Sequence, residues 1–383
     1  MAVQPIVAVI MPAYNAALHI DAALASVRAQ THTALDIIVV DDGSTDTTAE
    51  RVEAHAAQDP RVRFVQQRNQ GVAAARNRAI AATSAPFIAP IDADDLWAPQ
   101  KIARHVAALQ DHPEAGLAYS WWVSLDDAGR VIGQSDRWGL QGDVFQALLC
   151  VNFVGNASVP VYRHSVLEAA GGYVSYRSDN AEGCEDWDLT LRVAERAPFC
   201  VVPSYLTGYR SVANSMSTRP DRMLRSYDHV IAALRPRHPE VAESVYAWSR
   251  SSFMAYLGTL CYNQGAFEPA IRLLYASIRT DPPAALCIAS LKTLLKSTMR
   301  RLAQPVTRHV WPTRSDWHAF RRRTTRRSPP RALAPAAYPT LNDAVESWTW
   351  KPYKPYDRIR MQRWDQVVEA SSSYASSPSI MSS

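Results

Sequence analysis

The sequence has no run of about 18 apolar residues, so nothing in it reads as a membrane span. Its five cysteines (150, 184, 200, 261 and 287) are scattered, odd in number and without Cys-x-x-Cys spacing. That fits reduced thiols better than a disulfide framework or a zinc site. No Gly-x-Gly-x-x-Gly follows any predicted strand, against a dinucleotide oxidoreductase, and no Gly-x-Ser-x-Gly marks a hydrolase nucleophile. Met1-Ala2-Val3-Gln4-Pro5 supplies no basic stretch ahead of the short apolar run Ile6–Met11, unlike a secretory signal. Together these absences predict a cytoplasmic protein.

What is present is an ordinary globular balance, 47% apolar and 20% charged over 383 residues, enough for two domains at roughly 100–200 residues each. The net charge of +5 is uneven. Residues 300–331 hold ten arginines against one aspartate, which leaves the rest of the chain acidic and unlike a nucleic-acid-binding surface. With Trp311, Trp317 and Phe320 interleaved, the basic stretch reads either as a contact for an anionic membrane face or as a solvated linker.

The first hundred residues alternate between buried-strand and helix periods, the mark of βαβ units and a parallel sheet. Strands are predicted at Val7–Ile10, Asp36–Val40, Val62–Val65 and Pro86–Ile91. Helices are predicted through Leu18, Ala22 and Val27, after a cap at Ser44 or Thr45, and over Val72–Ala82. From about 115 to 215 the pattern is mixed, with strands at Leu117–Leu125 and Phe199–Pro203 and a helix at Asp186–Glu195. Met223, Tyr227, Val230, Ile231 and Leu234 then mark one helix face. Residues 257–282 resemble a single tetratricopeptide helix-turn-helix, through Leu257-Gly258, Tyr262, Gly265, Phe267, Ala270, Tyr275 and Asp281-Pro282. One such unit must pack on flanking helices, 223–235 and 286–302.

Ligands of parallel sheets bind at the carboxyl ends of the strands, where Asp41/Asp42 and Asp92/Asp94/Asp95 fall. Two carboxylates at i and i+2 suit Mg²⁺ or Mn²⁺ that also takes diphosphate oxygens; a solvated acidic turn is the plainer reading. Arg76-Asn77-Arg78 could meet phosphate or shield a carboxylate, and Glu185-Asp186-Trp187-Asp188 opens a helix, where carboxylates also serve as caps.

In order along the chain stand Met11-Pro12-Ala13-Tyr14-Asn15, Val39-Val40-Asp41-Asp42-Gly43-Ser44-Thr45-Asp46, Asn69…Gly71…Ala75-Arg76-Asn77, Asp92-Ala93-Asp94-Asp95, Gly171-Gly172-Tyr173, Glu185-Asp186-Trp187-Asp188 and Tyr209-Arg210 with Ser215–Ser217. This series resembles the GT-A glycosyltransferases of inverting family 2 over roughly residues 5–218. The resemblance implies an α/β GT-A domain at 1–218; beyond it the residues read as a helical domain with the tetratricopeptide-like unit at 219–302 and a basic Pro/Ser-rich tail with little independent folding at 303–383.

It further implies an enzyme transferring one sugar from a nucleotide-diphospho-sugar, a UDP-sugar by default, to a hydroxyl of a glycan or lipid-linked acceptor. Pro12, Tyr14 and Asp42 would line base and ribose, Asp41 would support that loop, and Arg76 would approach the nucleotide. Asp92 would contact ribose or sugar, and Asp94, with Asp92, would hold Mn²⁺ or Mg²⁺. Asp186 would be the general base, with Glu185 as second candidate or as an acceptor ligand; Asn156 and Trp122 fall toward the acceptor pocket. Polysaccharide assembly at the inner membrane face, reached through 300–331, fits this picture, as does a protein partner on the helical region.

Val212 stands where many relatives have a metal-reaching histidine, which would leave ligation to Asp94, phosphates and water, or to Asn214. That departure is the feature favouring a rival, a nucleotide-binding but catalytically weak GT-A protein acting as an interaction module. A nucleotidyltransferase would want a glycine-rich, basic loop after the first strand, and Met11–Asn15 is neither. Trp121-Trp122 reads as a sugar platform or as packing. His19, His105 and His112 read as surface or capping residues on helices.

Overall fold

The computed structural model describes residues 4–211, 219–283 and 287–307. Val212, Asn214, Ser215–Ser217 and the tail from 308 onward lie outside the described residues. Nine strands form one sheet: β1 (Val7–Ala13), β2 (Leu35–Asp41), β3 (Val62–Gln66), β4 (Phe87–Pro90), β5 (Leu96–Trp97), β6 (Leu117–Leu125), β7 (Val131–Gln134), β8 (Val161–Arg163) and β9 (Phe199–Arg210). The order is β3-β2-β1-β4-β8-β6-β9-β5, with β7 beside β6. The β3-β2-β1-β4 half is parallel, as the sequence predicts; β8 runs antiparallel to β4 and β6, and β6 and β9 are parallel.

Among the described residues the α-helices are α1 (Ile20–Arg28), α2 (Thr48–Gln58), α3 (Val72–Ala81), α4 (Lys101–Asp111), α5 (Phe145–Cys150), α6 (His164–Ala169), α7 (Glu185–Ala194), α8 (Pro220–Leu234), α9 (Glu243–Gln264), α10 (Phe267–Thr280) and α11 (Ile288–Thr307). Every residue of β1 is buried, so both faces of this central strand are covered. Alternation then splits the core: Val7, Val9 and Met11 face the α1 and α4 side, while Ala8 and Ile10 face α3, α5 and α7. Each such Val or Ile contributes roughly 1.5–3 kcal/mol over exposure.

Three local expectations change. Leu18 is exposed and precedes α1, whose inward face is Ile20, Ala23, Leu24 and Val27. Neither Ser44 nor Thr45 caps the next helix; Asp46 accepts the Thr48 N–H at 3.0 Å, and Ser44 and Thr45 instead bond Asn15 in the loop after β1. His105 is fully buried in α4 rather than at the surface.

The helical region does not stand apart from the sheet. Tyr227, Val230, Ile231, Val245 and Trp248 of α8 and α9 belong to the same apolar cluster as Trp187 and Leu189 of α7. Ser249 donates to the Leu149 carbonyl at 2.6 Å and accepts from Tyr227 at 2.9 Å. α9 and α10 form the tetratricopeptide-like pair, with Gly258 at their closest approach: a Cβ there would stand 2.8 Å from Leu274 Cγ. α11 packs outside α10 and α9.

Candidate active site

Chain direction sets the place of the site. From β1 the chain crosses to β2 and β3 on one side, while β4 lies on the other, so a crevice opens at the carboxyl ends of β1 and β4. The motif loops meet there. Pro12 is buried within β1, opposite Val40, and Tyr14 is exposed just beyond the strand end. Asn15, at φ 50°, ties this loop to the next: its N–H donates to Ser44 Oγ at 2.9 Å and its Oδ1 accepts the Thr45 N–H at 2.8 Å.

Asp41 and Asp42 are both buried. Asp41 accepts the Ser44 N–H at 3.1 Å. Asp42 accepts from Gln67 Nε2 (2.7 Å) and from the backbone N–H groups of Gln70 and Gly71 (2.8 Å each). Its carboxylate therefore holds the turn that starts α3. The turn is continued outward by Asn69, whose Oδ1 accepts from Arg177 at 2.6 Å.

α3 delivers Arg76 and Asn77 to the crevice. Asn77 makes a paired bond to the backbone of Tyr173, donating to its carbonyl and accepting its N–H, both at 2.8 Å. This joins the Arg76-Asn77 motif to the Gly171-Gly172-Tyr173 turn. A Cβ on Gly172 would lie 2.8 Å from Asn77 Oδ1, and its φ of 66° also favours glycine. Arg76 is buried, donates to Asp92 at 2.5 Å and lies 5.1 Å from the Tyr173 ring centroid. Burial lowers the Arg76 pKa, but the charges of Asp92, Tyr173 and Asp186 outweigh it and the net shift is upward. Arg76 Nε and the Tyr173 hydroxyl are buried without a protein partner.

The Asp92–Asp95 loop is held from below. Ser158 Oγ accepts the Asp92 N–H at 2.9 Å and donates to Asp95 at 2.5 Å; Asp95 also accepts the Arg210 N–H at 2.8 Å. Arg210, at the end of β9, donates through Nε to the Asp94 carbonyl at 2.8 Å. Asp95 is thus turned inward as a structural residue, and burial raises its pKa. Asp94 stays at the crevice, pushed up to about 7 by burial and then by the charge of Asp92. A carboxylate whose charge is disfavoured by burial and by a neighbouring carboxylate suits a hard cation, so Asp94, with Asp92 beside it, fits Mg²⁺ or Mn²⁺. Among the described residues no group of three His, Cys, Asp or Glu side chains forms a metal cage. A divalent ion at this place would complete its shell with phosphate and water oxygens.

The second acidic motif opens α7. Asp186 is half-buried and accepts the Trp187 N–H at 2.8 Å. Burial pushes its pKa up to about 6, Arg76 opposes the shift and Asp92 adds to it. Glu185 is buried and folds back onto the Gly183 N–H at 2.9 Å, with its pKa raised first by burial. Asp188 accepts from Arg192 at 2.6 Å on the far side of the same turn. Of the three, Asp186 is the one that neither folds back on Gly183 nor pairs with Arg192.

Aromatic side chains wall the remaining side. Trp122 meets Tyr209 edge-on at 5.8 Å, and its indole lies against Gly155, where a Cβ would be 2.3 Å from Nε1. Trp121 instead packs on Tyr205 and donates to the Trp138 carbonyl. Asn156 Oδ1 accepts the Ser158 N–H, and its buried Nδ2 has no protein partner. Ser158 and Tyr256 carry no motif and were not foreseen. Tyr256 of α9 is 49% exposed and lies beside Phe253, which stacks on Tyr227 and Trp187. Burial raises the Tyr256 phenol to about 12, with Asp186 and Cys184 adding to the shift. The tetratricopeptide-like pattern from Leu257 marks only the later part of this helix, and its register against α7 is a tertiary fact.

Residues 8–167 match the family model described as glycosyl transferase family 2. Over 197 residues, 51% of this chain, the sequence is 26% identical to chondroitin synthase of Escherichia coli, covering 27% of that protein. It is 34% identical over 171 residues, 42% of this chain, to an uncharacterized glycosyltransferase of Nostoc sp., covering 52% of it. The chain thus spans about a quarter and about half of these two relatives. A solved mannosyltransferase from Pyrobaculum calidifontis, in complex with GDP-Man and Mn²⁺, superposes with a TM-score of 0.51 at 21% identity, over 79% of this chain and 88% of that one. That likeness concerns the fold, a GT-A-type mixed α/β domain. Over residues 8–167 the sequence is thus that of glycosyl transferase family 2, and the sheet these residues begin is completed by β9, beyond the match.

Proposed function

We propose that the chain is an inverting glycosyltransferase that moves one sugar from a nucleotide-diphospho-sugar, a UDP-sugar by default, to a hydroxyl of a glycan or lipid-linked acceptor. The observation that carries this reading is the meeting of Asp92 and Asp186 around Arg76, which sets a base pushed up to about 6 beside the diphosphate-binding loop. In this reading Tyr14, Pro12 and the loop braced by Asp41 and Asp42 take the base and ribose, Arg76 orients Asp92, and Asp94 with Asp92 holds the divalent cation. When bound, that cation supplies charge neutralisation on the departing nucleoside diphosphate.

Asp186 takes the proton of the acceptor hydroxyl as its oxygen attacks the anomeric carbon from the face opposite the diphosphate. The new C–O bond forms as the bond to phosphate oxygen breaks, so the anomeric configuration inverts. Glu185 braces the start of α7 through Gly183. Trp122, Tyr209 and Tyr256 offer faces on which an acceptor sugar can stack, and Asn156 offers an unpaired donor. Residues 1–218 are the transferase and 219–302 its helical extension, in a cytoplasmic enzyme of polysaccharide or glycoconjugate assembly.

The test is a transfer screen with UDP-, dTDP- and GDP-sugars and Mn²⁺, the product anomer being read by NMR. Product of inverted configuration supports the proposal. Retained configuration, or no turnover of any donor by protein that binds its nucleotide, would overturn it.

A further inference from the structure

α11 carries an apolar face that nothing in the described structure covers. Leu291, Leu295, Met299 and Leu302 are 40%, 61%, 62% and 76% exposed. At about 100° per residue they fall within an arc of about 80°. Lys292, Lys296 and Arg300 continue around one side of that arc, and Arg301, paired to Glu268 of α10, borders the other. The inward side is marked by the buried Ser297, almost opposite the apolar stripe. The helix has no acidic residue.

We propose that this face of α11 lies in the surface of an anionic lipid bilayer, with the four apolar side chains in the acyl boundary and the basic flank among the headgroups. Three observations choose a lipid surface over a protein groove. The cations sit beside the apolar stripe, where long side chains can reach headgroup phosphates while the stripe is immersed. The helix is acid-free, complementing a uniformly negative surface rather than a mixed one. The chain that follows, to residue 331, adds eight arginines and one aspartate of the same overall sign. No helix among the described residues is long and apolar enough to cross a membrane, so the contact is in-plane. This inference does not depend on the glycosyl-transfer reading.

Full-length protein is sedimented with vesicles of phosphatidylcholine alone and of phosphatidylcholine mixed with phosphatidylglycerol. The proposal predicts at least about tenfold stronger binding to the anionic vesicles, weakened by salt. Leu295→Glu with Met299→Glu lowers that binding about tenfold or more, and Lys292→Gln with Lys296→Gln lowers it severalfold, with Tm unchanged because the positions are exposed. Failure of wild type to prefer anionic vesicles would overturn the proposal. So would unchanged binding by both α11 variants, or loss of binding only on Arg321→Gln with Arg322→Gln and Arg323→Gln. A lowered Tm, or dissociation of an oligomer, in the Leu295/Met299 variant would assign the face to this chain's own tail or to a second copy.

Discussion

Arg76 donates to Asp92 across 2.5 Å, and its charge holds down the pKa that burial raises at Asp186. One buried guanidinium thus couples the two acidic motifs, which lie far apart in sequence. Replacing it with Met removes that restraint, so the Asp186 pKa moves above about 6. A carboxylate base works when deprotonated, so kcat/KM is full above that pKa and falls as pH drops through it. The acidic limb of the kcat/KM profile therefore shifts to higher pH in Arg76→Met and stays near the wild-type position in Arg76→Lys.

Asp186→Asn keeps the size of the side chain and removes the proposed base. We expect kcat to drop about 10²–10⁴-fold, while the nucleotide Kd, measured by calorimetry with Mn²⁺, changes little. Glu185→Ala, by contrast, removes the acceptor of the Gly183 N–H and should lower stability.

Asn77→Ala leaves the Tyr173 N–H and carbonyl without partners at a partly buried place. The cost is about 2–3 kcal/mol of unfolding free energy. Urea unfolding would register it as a lower midpoint at unchanged m-value.

Tyr256→Ala removes a half-exposed ring whose phenol senses the charge of Asp186. The acceptor KM should rise about tenfold or more with nucleotide affinity unaltered, and Tyr256→Phe should recover most of it if stacking is the main contribution. Steady-state kinetics with acceptor varied separates these outcomes.

Lys101 is wholly buried, its Nζ without a hydrogen-bond partner and 4.4 Å from the Trp97 ring centroid. A desolvated cation–π contact contributes about 2 kcal/mol against the several kcal/mol of burying an ammonium, and burial pushes the amine pKa well down. The unfolded chain, near its ordinary 10.5, then binds a proton that the folded chain does not. Stability rises with pH from the folded pKa toward 10.5 and is lost as pH falls through that window. His105, also lowered first by burial and then by Lys101, adds a second rise below its ordinary 6.5. Lys101→Met should flatten the alkaline slope and raise neutral-pH stability by about 1–3 kcal/mol, read from Tm against pH.

The parallel half of the sheet was legible because its strands are unbroken apolar runs ending in acidic loops, and β1, β2 and β4 stand where Val7, Asp36 and Pro86 indicated. The short strands β5 and β8 were not, since Leu96-Trp97 and Val161–Arg163 carry no period. The acidic motifs were legible as residues but not as partners. That Asp42 holds the α3 turn, that Asp95 faces Ser158 and that Arg76 links Asp92 to Asp186 are long-range relationships with no signature in spacing. Burial of His105, one turn after the equally buried Lys101, is likewise a tertiary fact that two polar residue types do not announce. Tyr256 entered the site only because α8 and α9 share the core of α7.

The central claim is tested most directly by titrating UDP, dTDP and GDP into the full-length protein, with and without Mn²⁺, for wild type and Asp94→Asn. The account predicts that one nucleotide binds in a Mn²⁺-dependent way and that Asp94→Asn, folded by circular dichroism, loses the dependence. A folded wild type that binds none of the three nucleotides would contradict it.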